Sequence, residues 1–416
     1  MRVAATLPER RHVLNACIDR YRFTVAFAAS LVANKVSLLP STHTPEVIRQ
    51  LTQFAPDVFC LTDDAQCQID LPRVRFPELT ATADLSLHWP PVEIAADRLA
   101  AYVFTSGSTG TPLPYQKTWG RLVNCVRFEA QRLGLLDGRA HTLVGTVPPQ
   151  HMYGFESTVL LALQSGTAFS AGRPFYPADI GSELASVPAP RMLVSTPVHL
   201  RTLLGSDIGL PELNLVLSAT APLSQNLARE VEEHYATRLL EIYGSTETGQ
   251  IATRRTAQTV EWQLFDGVRL FAQGESAFAE GGHVEQRTPM CDVLEITAAD
   301  RFLLHGRLSD LVNIAGKRSS LGYLNHQLNA IPGVVDGAFF VREPEEASSS
   351  GVTRVAAVVV APGLSPADLN EALRRRIDAV FMPRPLLFVE RLPRNDTGKL
   401  PQDSLRALAA AAMKRT

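Results

Sequence analysis

The chain has 416 residues, 45% of them hydrophobic, enough for two or three domains with sizeable cores. Forty basic against 42 acidic residues leave a formal charge of −2 with no basic block, which argues against nucleic acid as a partner. The five cysteines (Cys17, Cys60, Cys67, Cys125 and Cys291) form no CxxC pair and are odd in number, which argues against a disulfide framework or a cysteine zinc site and fits a reducing cytoplasm.

The apolar run 23–33 is well short of the ~20 residues that span a bilayer and reads as a buried helix. It lies late and lacks a clear cleavage site for a signal peptide, so a cytoplasmic protein without a membrane span is expected. Residues 102–104 predict a strand that runs into Thr105, Ser106, Gly107, Ser108, Thr109 and Gly110. Glycines let a backbone approach an anion, and free N–H groups with hydroxyls can bind phosphate oxygens. The loop is neither a Walker A loop nor a nucleophile elbow. On composition alone, an ordinary solvated loop is an equal reading.

Further along, 121–136 has helical spacing, with Leu122, Val126, Leu133 and Leu136 near one face and Gly138 as the stop. Residues 141–147 predict a strand and 154–163 a helix. Buried strands are expected at 191–195 and 213–218, a helix at 223–235 and another strand at 239–243. Such alternation builds mostly parallel sheets covered by helices, an α/β class. The character changes after Arg307. Strands at 334–341 and 354–360, a polar loop at 345–351, a helix at 366–380 opened by Ser365, and an Ala-rich last helix at 407–412 make a small α+β module. Two domains are therefore expected, 1–307 and 308–416.

Six stretches and one spaced pair, taken in order, resemble the acyl-activating (adenylate-forming) superfamily. Residues 105–112 match its phosphate signature throughout, except that Leu113 stands where the family has lysine. Lys117 is the nearest substitute, but along a straight strand it lies about 13 Å away; Pro114 is the one feature that could bend that path. His151 and Gly154 lie in a stretch that resembles the gate of the acyl pocket, although His151 by itself reads as a turn histidine. Ser218 to Leu223, with Ala219 and Thr220, resembles the stretch along the adenine, and it also reads as a strand end before an N-cap at Ser224. Tyr243, Gly244, Thr246 and Glu247 resemble the YGxTE motif. Asp292 and Arg307, fifteen positions apart, resemble the pair that binds ribose. Residues 306–318 resemble the hinge, its pivot at Ser309 and Asp310. Finally, Pro393-Arg394-Asn395-Asp396-Thr397-Gly398-Lys399 resembles the terminal motif with the catalytic lysine.

The resemblance implies a large N-terminal domain, shortened relative to the family, and a small mobile C-terminal domain. It implies ATP as substrate, Mg²⁺ on Glu247, and catalysis by Lys399 with Thr246 and Glu247. The implied partners are a carboxylic acid and a thiol. The short chain resembles ligases of aryl polyene and xanthomonadin-type pathways, which load an aryl acid such as a hydroxybenzoate onto an acyl carrier protein. Coenzyme A with a fatty or aryl acid is the alternative. Because Leu113 and Ser309 depart from the pattern, a degenerate nucleotide-binding protein is a third reading.

Overall fold

The computed structural model describes residues 1–40, 42–78, 91–105, 113–206, 208–273, 276–307, 311–314, 317–341, 354–395 and 400–414. Side chains are not described at 105, 307, 311, 313 and 318.

A six-stranded sheet occupies the first part of the chain. Its strands Arg73–Arg75, Phe59–Thr62, His12–Asn15, Val36–Leu39 and Leu99–Thr105 run parallel in that order, and Leu113–Thr118 closes the edge antiparallel to Leu99–Thr105. Pro114 sits on this edge strand, where a missing N–H costs no ladder bond. It leaves the pairing regular around it, with Phe104 opposite Pro114 and Thr105 opposite Leu113; the register shifts only at the other end, between Leu99 and Ala101.

A nine-stranded sheet follows. Ala168–Phe169, Thr142–Gly145, Arg191–Ser195, Leu215–Ser218 and Arg238–Ser245 are parallel neighbours. Thr142–Gly145 and Leu215–Ser218 are buried at every position, as strands covered on both faces must be. The parallel half is therefore as expected. The other half is antiparallel: Gly249–Arg254, Trp262–Leu264, Arg301–Arg307 and Asp292–Ala298. A three-stranded sheet of Arg269–Gln273, Ser276–Gly281 and Val284–Met290 lies in a stretch for which the sequence predicted no elements. Toward the C-terminus, Asp336–Val341 and Val355–Val360 pair antiparallel, and Leu386–Phe388 adds a parallel strand.

Several boundaries differ from expectation for identifiable reasons. The helix Trp119–Leu133 starts two residues early because the Thr118 hydroxyl accepts from Arg121 N. It stops at Gly134, not Gly138: Gly134 takes φ 75°, and Leu135 N folds back to Ala130 O at 2.9 Å. Leu136 is consequently exposed rather than on the buried face. The helix Pro366–Arg374 carries the expected Ser365 cap, completed by Asp368, but ends early. Asp378 instead caps a separate short turn, Ala379–Phe381. The predicted helix 154–163 spans Met152–Ser165 and contains a π-wound segment, Phe155–Leu160, all of it buried. The last helix is longer than its Ala-rich core, Gln402–Met413. The polar loop 345–351 lies outside the described residues. No described helix is long and apolar enough to cross a membrane.

Two features join the sheets. Phe155 packs edge-on against Phe23 and Phe27, at 6.4 and 4.8 Å between ring centroids. The second is Arg20, on the helix Arg20–Val32, which is 1% exposed. Its guanidinium donates to the carbonyls of Ser170, Gly172, Gly145 and Val147 at 2.8–3.1 Å. Burial, with Arg173 nearby, pulls its pKa down to about 10.

Candidate active site

Among the described residues singled out from sequence, Thr105, Ala219, Thr220, Tyr243 and Gly244 lie at or just beyond the C-terminal ends of parallel strands, the edge where open α/β sheets take ligands. Strand Arg238–Ser245 delivers Tyr243 and Gly244 there and turns back through Thr246 and Glu247, both half-buried. The register shifts between Tyr243 and Gly244, and the two backbones come close. A Cβ on Gly244 would lie 2.3 Å from Gly249 O and 2.6 Å from Gln250 Cα. The turn is clamped by Ser245 N donating to Thr248 Oγ1 (3.3 Å) and Thr248 N donating to Ser245 Oγ (3.2 Å). Arg121 Nη2 donates to the Glu247 carbonyl at 3.4 Å. Gly244→Ala is expected to lose roughly 2–3 kcal/mol, because backbone cannot retreat as a flexible side chain can. A urea midpoint equal to wild type would contradict the close approach.

Asp292 and Arg307 face one another at the open end of a hairpin, with Asp292 paired to Arg307 in register and the turn closed at Ala298 and Arg301. The fifteen-residue spacing is thus the length of this hairpin. Tyr243 OH donates to Asp292 Oδ2 at 2.6 Å, fixing the carboxylate beside the turn strand. The Tyr243 ring in turn packs on Trp262 and Phe302, at 5.4 and 5.5 Å.

The small-residue stretch Ser218 to Leu223 leaves the neighbouring strand. Ala219 is buried, and Thr220 holds φ 78°, a left-handed conformation rare for a β-branched residue and a local strain the surroundings must enforce. Glu241 supplies part of that enforcement. Its buried carboxylate accepts from Leu223 N (3.1 Å), Arg254 Nε (2.8 Å) and Thr256 Oγ1 (2.7 Å). Arg254 also lies over the Trp262 ring at 4.3 Å. Glu241 and Arg254 thereby tie the two loops into one frame. Sequence reasoning missed both as site residues, and only the inward phase of a charge on a buried strand hinted at Glu241.

His151 caps the helix that starts at Met152, and its N–H donates to Pro148 O at 3.2 Å, as a turn histidine does. Gly154 is packed against the same turn: a Cβ there would lie 2.1 Å from Pro148 O. Thr105 ends its strand opposite Leu113. Ser106, Gly107, Ser108, Thr109 and Gly110 lie outside the described residues, as do Ser309, Asp310 and Lys399. Leu113 is half exposed, whereas Lys117 is buried four positions along the same strand, where the register shifts between Leu99 and Ala101. Burial lowers the Lys117 pKa, against the pull of Glu156. Five positions before Lys399, Arg394 grips Asp336 through two parallel bonds of 2.8 Å, which anchors the start of the terminal motif to the C-terminal sheet.

Among the described residues, no group of three or more His, Cys, Asp or Glu could hold a metal alone. A single carboxylate such as Glu247, sharing the ion with phosphate oxygens, suits the hard-oxygen chemistry of Mg²⁺. The donor set therefore fits.

Comparison with known proteins places this arrangement. The 4-coumarate–CoA ligase of Rhodobacter capsulatus is 29% identical, over 75% of this chain and 77% of its own. That of Halorhodospira halophila is 31% identical, over 71% and 73%. The 3-hydroxybenzoate–CoA/4-hydroxybenzoate–CoA ligase of Thauera aromatica is 24% identical, over 77% and 68%. Among solved structures, ATP-bound MatB from Rhodopseudomonas palustris superposes with a TM-score of 0.81 at 20% identity, over 98% of this chain and 91% of that one. O-succinylbenzoate coenzyme A synthetase from Bacillus subtilis, in complex with ATP and magnesium ion, gives 0.78 at 18% identity, over 97% and 90%. The family model described as AMP-binding enzyme matches residues 3–268, well over half the chain. The chain belongs to this family of AMP-binding, adenylate-forming enzymes.

Proposed function

We propose that the protein is an AMP-forming ligase that activates an aryl carboxylic acid with ATP and transfers the acyl group to a thiol. The observation that carries this reading is the Tyr243–Asp292 contact at 2.6 Å, which brings the adenine-side and ribose-side candidates together beside the Thr246–Glu247 turn. In the first step a carboxylate oxygen attacks the α-phosphorus of ATP, and pyrophosphate leaves, giving the acyl-adenylate. Ser106 to Gly110 would hold the phosphates, Ala219 and Thr220 would lie along the adenine, and Asp292 with Arg307 would bind the ribose hydroxyls. Thr246 would meet the α-phosphate. Mg²⁺, held by Glu247 and the phosphates, would supply charge neutralisation. Lys399 would bring its ammonium to the place where two anions meet, so that the protein contributes positioning and charge rather than covalent chemistry. In the second step a thiol sulfur attacks the acyl carbonyl, and AMP leaves.

The chain would divide into a domain 1–307, holding ATP and the acyl pocket behind His151 and Gly154, and a mobile domain 308–416 that pivots at Ser309 and Asp310. The three relatives named above are CoA ligases acting on aryl acids, which favours coenzyme A as the thiol. A carrier protein presents the same thiol chemistry through its phosphopantetheine arm. The test offers ATP, a panel of aryl and fatty acids, and either coenzyme A or holo-carrier protein, and measures acid-dependent pyrophosphate exchange and the intact mass of the acylated thiol. Exchange with aryl acids and acylated coenzyme A are the expected results. ATP binding without exchange for any acid would establish a degenerate nucleotide-binding protein instead.

A further inference from the structure

The register of the nine-stranded sheet gathers arginines at one corner. Ile242 lies opposite Thr253, Thr253 opposite Gln263, and Gln263 opposite Arg301, so these side chains share a face. Side chains alternate along a strand, which puts Arg238 and Leu240 on that face with Ile242. The helix Trp119–Leu133 ends against the same corner. Arg132 Nη2 donates to Leu264 O at 2.7 Å, and Arg238 Nη2 donates to Leu133 O at 3.0 Å. A cavity of about 310 Å³ opens there, walled by Arg132, Arg238, Arg254, Arg255 and Arg301. Glu261 is the one carboxylate in its described lining, and Thr253, 3% exposed, adds a hydroxyl to the wall.

Charge is not balanced in this cavity. Arg254 pairs with Glu241 at 2.7 Å, Arg255 with Glu232 at 2.8 Å, and Arg301 with Glu261 at 3.5 Å. Arg132 and Arg238 pair with no carboxylate among the described residues; each meets a neutral carbonyl. A guanidinium carries five N–H donors, so a single bond to a backbone carbonyl leaves most of them over. Two surplus positive charges in one concavity raise the local concentration of anions. The place is separate from the candidate active site. Arg238 starts the strand that delivers Tyr243, and five residues at the rise of a strand put the two about 16 Å apart.

We propose that this cavity is a second anion site, remote from the adenylating centre, that binds the phosphate group of a small phosphorylated molecule. The chemistry of the wall selects that group. Guanidinium forks match the oxygens of a phosphate, and two unbalanced charges match a dianion. The Thr253 hydroxyl is a further donor. The volume exceeds that of one phosphate and falls at the lower end of small-molecule sites, which leaves room for a compact organic body beside Leu240.

The experiment first fills the catalytic phosphate subsite with saturating MgATP in the absence of acid. Inorganic phosphate, glycerol 3-phosphate and malonate are then titrated against the full chain by isothermal calorimetry at fixed ionic strength. Saturable binding of both phosphates is expected, with malonate, a dianion of different geometry, weaker by about 10-fold. Arg238→Gln is expected to weaken both phosphates by about 10-fold, the scale of one hydrogen bond to a charged group, and Arg132→Gln combined with it by about 100-fold. Pyrophosphate exchange and the KM for ATP hold in both variants. No saturable phosphate binding, or binding unchanged in the variants, overturns the assignment. Malonate bound as tightly as phosphate overturns the choice of phosphate. Exchange lost in step with phosphate affinity overturns the separation from the catalytic centre. Should the double variant fail to fold, Arg238→Gln, at an exposed position, still decides.

Discussion

Lys399→Ala is expected to remove acid-dependent pyrophosphate exchange, a loss of at least about 10³-fold, on the scale of deleting a group aimed at developing charge in a dry site. The argument starts from the anions. A carboxylate must approach a triphosphate, and each repels the other until cations intervene. Leu113 occupies the position where the family pattern has a phosphate-loop lysine, and it is half exposed on an edge strand. Lys117 does not take its place, because it lies four positions along the strand Leu113–Thr118 and its side chain is buried in the field of Glu156. The burden on Lys399 is correspondingly greater, as a compact charge on a flexible stem. The bidentate Arg394–Asp336 pair fixes where the motif leaves the C-terminal sheet, so the reach of Lys399 is limited to a few residues of chain. Melting temperature is the control. Exchange at the wild-type rate in a folded variant would end the proposed mechanism.

Arg20→Met carries the second large effect, on stability. Four carbonyls, those of Gly145, Val147, Ser170 and Gly172, accept from one planar guanidinium in the dry interface between the two large sheets. Methionine fills much of the volume but leaves those acceptors bare. A loss of about 3–5 kcal/mol is expected, less than the sum of the parts because the buried charge is also removed. Arg20→Lys should fall between, since three ammonium hydrogens do not match a fork of four acceptors. Urea unfolding measures both, and a loss under about 1 kcal/mol for Arg20→Met would show that water or neighbouring groups replace the guanidinium. Gly145 and Val147 lie just before the turn of Pro148 to His151, so the KM for the acid should rise with the loss of stability.

The sequence by itself determined the fold class, the strands and helices of the parallel half of the large sheet, and the family. These are local matters: the apolar runs at 191–195 and 215–218 are strands wherever they occur, Ser365 and Ser224 cap helices through their own side chains, and the stretches resembling one family follow one another along the chain. It also supplied Asp292 and Arg307 through a spacing whose cause, a hairpin, it could not show. Only the tertiary structure decided which polar groups meet. Tyr243 and Asp292 are 49 positions apart, Arg20 and Ser170 150 apart, and Gln250 and Ser157 93 apart. A buried hydrogen bond leaves no periodicity in the chain, because its two ends are satisfied by proximity rather than by pattern. The same holds for the π-wound turn at Phe155–Leu160: the segment is buried on every side, so Glu156 and Ser157 lie in the core, and no composition rule anticipates it.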